Sequence, residues 1–340
     1  MRAAIWQVRS RLEILFSRSW GWVLVSLLLL GWAIVFSLSR GAADLSTWEA
    51  ALALLDSMHP MRAVILDVRL PRVLGGALVG ANLAVAGLLL QTTVRNPLAD
   101  PGILGVTAGA GVAALVVILL FPEQIDWMPW AAFIGGILAV GVVLALSWSR
   151  DGRGGALRMV LSGVALQAIF FACIALLTFA FADRAPSFVS FTVGSLNGTG
   201  WSDVKMLIAP TLIGLTASVI AIRPLDLLLL DDGTATGLGL AVRHVRLLAA
   251  STAALLAASA VSVAGLIGFV GLVVPNGMRL VVGPEHKILL PLSALVGASL
   301  VLLADVVSRM ALAPLELPVG AFMALIGGPY FLYLLWRKLP

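Results

Sequence analysis

The sequence has little that carries charge, redox or acid–base chemistry. Of 340 residues only 11% are charged, with 3 histidines and 1 cysteine. Cys173 lies inside the apolar run FFACIALL without a partner. That excludes a disulfide framework and a thiolate metal site, and it reads as a small packing side chain. His59, His244 and His286 are scattered over expected loops, and no H-E-x-x-H occurs. The lysines are Lys205, Lys287 and Lys338, and none sits in a G-x-x-x-x-G-K-[ST] loop, so the chain cannot hold ATP through a P-loop. No nucleophile, base and metal cluster comes together on any expected helix. The chain is therefore read as non-catalytic, with no cofactor or metal of its own.

What is abundant is apolar length. Hydrophobic residues make up 61% of the chain and mean hydropathy is +1.06. A helix crossing a bilayer needs ~20 apolar residues, and such runs continue almost end to end. Membrane strands would instead alternate in segments of about ten residues. The expected fold is an all-α polytopic membrane protein of about ten transmembrane helices. They are placed near 20–38, 71–92, 102–121, 128–148, 157–181, 204–222, 247–264, 266–282, 288–308 and 316–336. The first run, Trp20 to Leu38, exceeds the ~7–15 residues of a signal-peptide core. It reads as a retained helix behind a cytoplasmic segment 1–19, and residues 1–340 as one membrane domain.

With the N-terminus inside, Arg40, Arg62, Arg69, Arg72, Arg184, Lys205 and Arg309 fall outside and the other Lys and Arg residues inside. That bias follows the positive-inside rule and puts both termini in the cytoplasm. It also accounts for the net charge of +5 without nucleic acid. Trp20, Trp22, Trp127, Trp130, Trp148 and Trp336 mark span ends as interfacial anchors. Residues 247–278 hold no charge, too long for one crossing and short for two, and Gly265, Gly268 and Gly271 offer a break. Val85-Ala86-Gly87 recurs as Val263-Ala264-Gly265, and the same offset aligns Pro97 with Pro275. This suggests an inverted pseudo-repeat of helices 2–5 and 7–10, as in transporters. Gly76/Gly80 and Gly105/Gly109 have the spacing of close helix packing.

Several segments carry more specific chemistry. In Arg69-Leu-Pro-Arg72, Pro71 suits a first helical turn and pushes Leu70 towards an extended conformation. The two guanidinium groups then serve either carboxylate binding or anchoring to lipid phosphate. Asp100-Pro101 reads as the N-cap and first residue of the third span. Segment 223–246 far exceeds an ordinary helix connection of about 2–8 residues. It suggests short surface helices, either a partner-docking element or a membrane-surface segment. Among polar residues at membrane depth, Asn82 and Gln91 lie in the second span, Ser162 and Gln167 in the fifth and Asp305 in the ninth. Such groups face protein or a water-filled path; Asn82 and Gln91 also suit interhelical hydrogen bonds.

The stretch RLPRVLGGALVGANLAVAGLLLQTTVRNPLADPGILGVTAGAG resembles the signature of the iron-chelate, haem and cobalamin permease family (FecCD-type) of ABC importers. The likeness continues through LSGVALQAIF, VGSLNGTGWSDV, GLIGFVGLVVPNGMRLVVGPEHK and LLADVVSRMALAPLELPVGAFMALIGGPYFLYLL, over residues 65–336. Two departures occur. Asn276 follows Pro275 where the family usually has histidine, and Leu266 replaces a usual proline. The resemblance implies an inner-membrane permease paired with a second permease subunit, identical or paralogous. Two cytoplasmic ATPase subunits using ATP and Mg, and a periplasmic binding protein, complete such an importer. It implies that Arg69, Arg72 and Arg309 meet acidic residues of the binding protein. It implies that Asp231, Asp232, Gly233, Thr234, Ala235, Thr236, Gly237, Leu238, Gly239 and Leu240 couple to the ATPase. Gln167 is assigned to the translocation pathway, because the fifth helix lines it in relatives, and Ser162, Asn82 and Gln91 are further candidates for it. The cargo is read as a ferric siderophore, haem or cobalamin. The alternative is an ion-coupled secondary transporter of a small polar solute, for which Asp305 alone offers a carboxylate, near a span end.

Overall fold

A computed structural model describes residues 2–40, 49, 56, 59–147, 155–183, 186–313 and 315–338. Trp148, Arg150, Arg153 and Arg184 lie outside them. The helices are α1 (Arg2–Ser39), α2 (Leu70–Val94), α3 (Val106–Leu120), α4 (Met128–Ser147), α5 (Gly155–Ala180), α6 (Pro186–Val193) and α7 (Trp201–Ile220), then the short α8 (Ile222–Leu228) and α9 (Asp232–Gly237), then α10 (Val242–Ala264), α11 (Val270–Val282), α12 (His286–Met310) and α13 (Val319–Lys338). Seven have the length and apolarity of a full span, and three shorter apolar helices, α3, α11 and α13, complete the ten expected crossings. The helix over the first span starts at Arg2, so most of segment 1–19 continues it. Trp20, Trp22, Trp127, Trp130 and Trp336 are exposed near the ends of apolar spans, as interfacial anchors require. Cys173 is a free, half-exposed thiol on α5.

α2 is the centre of the bundle and its most buried span, with α10 next, whereas α5 is the least buried span. Small residues set the close packing of α2. A Cβ at Gly80 would collide with the carbonyl of Gly297 on α12, and one at Gly87 with the backbone of Gly271 on α11. Gly80→Val is therefore expected to cost about 1–3 kcal/mol by overpacking. Thermal unfolding in detergent checks this, and an unchanged midpoint would refute so tight a crossing. Gly105 acts differently from the expected packing pair: it turns the chain at φ +76°.

Three local expectations are corrected. Leu70 is helical (φ −62°, ψ −47°), because a π-helical turn at Val64–Arg69 leads into α2. There the Leu70 amide reaches back to Ile65, five residues earlier, a wider turn that accommodates Pro71 without ending the helix. Asp100 does cap Pro101, its Oδ1 accepting from the Gly102 amide at 2.8 Å. The helix so started is a 3-10 turn ending at Leu104, and α3 begins after the Gly105 turn. The eighth span starts at Val270, not 266.

That last junction is non-helical from Gly265 (φ +65°) to Phe269 (φ +68°). At 13 residues, α11 is about 20 Å long, short of the ~30 Å hydrocarbon core. Irregular backbone at that depth must be satisfied by protein. Here Leu266 N donates to Phe191 O (3.0 Å), Ser195 N to Ala264 O (2.9 Å) and Gly320 N to Gly194 O (3.0 Å). Leu266 thus uses an N–H that the proline usual in the resembling family lacks.

A recurring pattern of helix lengths is visible in element order rather than in the tripeptide. α2–α5 and α10–α13 each run as a long helix, a short one and two long ones. Gly87 lies inside α2, whereas Gly265 lies just past α10.

Candidate functional site

The bundle has two polar ends. One, the Asp232 end, gathers the C-terminus of α2, the short helices α8 and α9, and the start of α10. Asp231 caps α9, its Oδ2 accepting from Thr234 N (2.8 Å) and its Oδ1 from the Thr234 hydroxyl (2.6 Å). The helix closes with Gly239 at φ +84°, the Gly239 amide bonding Thr236 O and the Leu240 amide Ala235 O, a glycine-terminated stop. Ala235 is buried while Asp231, Gly233, Thr234, Thr236, Gly237, Leu238 and Gly239 are exposed, with Leu240 half-buried. The result is a six-residue helical knob.

Asp232 fastens the knob to the bundle. Arg246 of α10 binds it through two hydrogen bonds of 2.8 and 3.0 Å, and Arg95 makes a third contact. Arg95 is the left-handed C-cap of α2, and its Nε donates to Leu228 O at 2.8 Å. Arg246 Nε donates to Thr93 O at 3.2 Å. One carboxylate therefore ties α9 to α2, α8 and α10. Beside it, His286 bridges Asp226 of α8 (Nδ1–Oδ1 2.6 Å) and Thr92 of α2 (2.8 Å).

The hydrogen bond from Arg246, aided by the charges of Arg246 and Arg95, holds the Asp232 carboxyl below the usual range. The Thr234 hydroxyl and amide do the same for Asp231. A carboxyl with a depressed folded value contributes fully above its unfolded pKa and loses its contribution as pH falls through the folded one. Exchange protection of the Thr234 amide is thus expected to hold from neutral pH down to about pH 4 and to vanish below it. Protection lost already near pH 6 would contradict this.

At the opposite Arg72 end, the three arginines assigned to docking are engaged within the protein. Arg69 Nη1 donates to Leu38 O (2.7 Å) and Ser39 O (3.1 Å). Arg309 donates to Arg40 O (2.8 Å) and the Ser37 hydroxyl (3.1 Å). Both satisfy groups at the C-terminus of α1, where helix carbonyls lack partners and a cation is favourable. Arg72 instead bridges two carboxylates. Its Nε and Nη2 meet Asp305 Oδ1 (3.1 and 2.9 Å), and its Nη1 meets Glu316 Oε2 (3.0 Å). Asp305 also lies 3.0 Å from Arg309 Nε, four residues on, as helix spacing allows.

The pathway candidates are placed as follows. Asn82 is buried and its amide nitrogen donates to Thr211 of α7 (2.8 Å) and Ser259 of α10 (3.1 Å). Gln91 donates to Gly271 O and accepts from Arg279, both at 3.0 Å. Gln167, half-buried on the exposed α5, donates to Gly102 O, and Ser162 lies half-buried on the same helix. Asn276, the other departure, donates to Pro97 O (2.7 Å) and accepts from Arg279 (2.9 Å). Near the Arg72 end lies a cavity of about 370 Å³ whose lining includes Ser195, Asn197, Ala264, Gly265, Glu316 and Pro318.

Sequence reading missed the partners. Arg95 and Arg246 counted only as basic residues, and Asp226, His286 and Glu316 carried no signal. Their contacts span 137 positions for Arg95–Asp232 and 244 for Arg72–Glu316, so no local pattern could announce them.

Comparison with known proteins places this architecture. The model of the FecCD transport family matches residues 27–337. The Fe(3+)-citrate import system permease protein YfmE of Bacillus subtilis is 39% identical over 302 residues, covering 88% of this chain and 90% of that protein. The cobalamin import system permease protein BtuC of Halobacterium salinarum is 39% identical over 274 residues, covering 81% and 73%. A solved metal-chelate type ABC transporter in an inward-facing conformation superposes with a TM-score of 0.81 at 33% identity, covering 93% of this chain and 98% of that one. With seven helices long and apolar enough to cross a membrane among the described residues and this match over nearly its whole length, the chain belongs to the FecCD transport family as a multi-pass membrane permease.

Proposed function

We infer that this permease imports a ferric siderophore, or a related chelate such as haem or cobalamin, by ATP-driven alternating access. The Asp232 end faces the cytoplasm with both termini, and the Arg72 end faces the periplasm. A second permease subunit, two ATPase subunits and a binding protein complete the machine. The observation that carries this reading is the fastened knob. α9 protrudes with an exposed surface, yet Asp232 binds it to Arg95 and Arg246, at the ends of the two most buried spans. A partner moving α9 therefore moves α2 and α10 with it, instead of bending a loose loop. Nucleotide state in the ATPase then biases which way the permease halves face, a population shift rather than catalysis.

At the other end the binding protein docks over the Arg72 patch. Arg69 and Arg309 bond the end of α1, and Arg72 pairs with a carboxylate, Glu316, that reaches solvent. The test is uptake into proteoliposomes holding the assembled transporter, with binding protein outside and ATP inside. Ferric siderophore, haem and cobalamin are offered in turn. ATP-dependent accumulation of the siderophore is expected. Uptake driven by an ion gradient, without the ATPase, would favour the secondary-transporter reading instead.

A further inference from the structure

We propose that Glu316 occupies, before docking, the place on Arg72 that a carboxylate of the binding protein takes on docking, and that its displacement frees the wall of the adjoining cavity. This rests on the docking role of Arg72 given above.

The two carboxylates on Arg72 are unequal. Asp305 is 1% exposed and is also paired with Arg309, whereas the Glu316 side chain is 37% exposed. Removing Asp305 would strand buried cations, a change of large cost. An exposed ion pair is worth little and exchanges readily. Arg72 is itself only 13% exposed, and its Nε, Nη1 and Nη2 already donate to these two acids. Two N–H groups of the fork are left over, but with Arg72 so buried an incoming carboxylate reaches it by taking the solvent-facing position of Glu316.

Glu316 has a second position in the fold. With Pro318, Ser195 and Asn197 it lines the 370 Å³ cavity. Its segment is otherwise held by the bonds Leu315 N to Leu312 O (2.9 Å) and Leu317 N to Ser308 O (3.1 Å). Three residues after Glu316 α13 begins, with Gly320 N bonded to Gly194 O, next to the lining residue Ser195. Glu316 therefore belongs both to the docking arginine and to the cavity lining. The occupant that fits is an acidic group on a soluble partner, since it must supply a carboxylate equivalent where Glu316 meets solvent.

The experiment titrates the assembled transporter, in nanodiscs of zwitterionic lipid, with the binding protein of the same importer. Glu316→Gln is expected to tighten docking about two- to fivefold, the worth of one exposed ion pair. A spin label at Leu315, 66% exposed, should be mobile in that variant without binding protein. In the wild type the label should become mobile only on docking. Arg72→Gln should lose docking, and Arg72→Lys, which cannot span both acids, replaces it if the first does not assemble. Should either Arg72 variant dock like wild type, the docking reading itself fails. Should Arg72→Gln lose docking while Glu316→Gln neither tightens it nor frees the label, docking stands and the role of Glu316 is overturned. Label release in phosphatidylglycerol nanodiscs without binding protein would assign the site to lipid phosphate and also overturn the proposal.

Discussion

Replacing Asp232 by arginine is expected to lower ATP-driven uptake by roughly tenfold or more, the scale of an ordinary coupling free energy between sites. ATP hydrolysis by the same assembly should fall far less. The variant sets a third cation against Arg95 and Arg246, which now converge on one carboxylate. Because the Asp232 side chain is 49% exposed, its ion pairs contribute little to stability in water, about 0–1 kcal/mol each. The expected defect is therefore in transmission, not in folding: α9 still forms, since its cap is Asp231, but no longer moves with α2 and α10. The paired exchange Asp232→Arg with Arg246→Asp should restore part of the uptake. Uptake and hydrolysis falling in equal proportion would show that Asp232 serves the ATPase contact itself.

Asp305→Ala has the largest expected effect on stability, a loss of about 3–5 kcal/mol, as when one member of a buried ionic group is removed. Asp305 is 1% exposed and holds Arg72 on one oxygen and Arg309 near the other. Without it two guanidinium groups remain in a largely buried site with Glu316 alone, among the described residues, to balance them. Asp305→Asn keeps the volume and an acceptor, and should lose less. Unfolding in a graded denaturing detergent measures both variants. If the alanine variant matched wild type, the ionic cluster would be a surface decoration.

The apolar architecture was legible because every crossing is a run that lipid alone dictates. Even the uncharged stretch 247–278 yielded its break, since Gly265 stands where only an unusual φ fits. Boundaries shifted where backbone geometry outweighed hydropathy. Pro71 sits behind a π turn, and the cap at Asp100 opens a 3-10 turn before α3 begins. Site residues were legible one at a time and not as partners. Arg72 stood out beside Pro71, but its acids lie on α12 and the following loop. The 231–240 segment stood out by length, while its fastening depends on arginines at two distant helix ends. Spacing along one helix finds Asp305–Arg309; contacts across the bundle require the fold.

α2 carries Arg72 in its first turn and Arg95 at its cap, joined by an uninterrupted helix of 25 residues. At 1.5 Å per residue that is a strut of about 37 Å, gripped along its length by glycine contacts with α11 and α12. On the proposed assembly, the two partners bind opposite ends of one stiff member. Linkage then works equally in both directions: whatever factor the nucleotide state applies to binding-protein affinity, docking must return to the ATPase equilibrium. Measuring the release of either partner would report on the other.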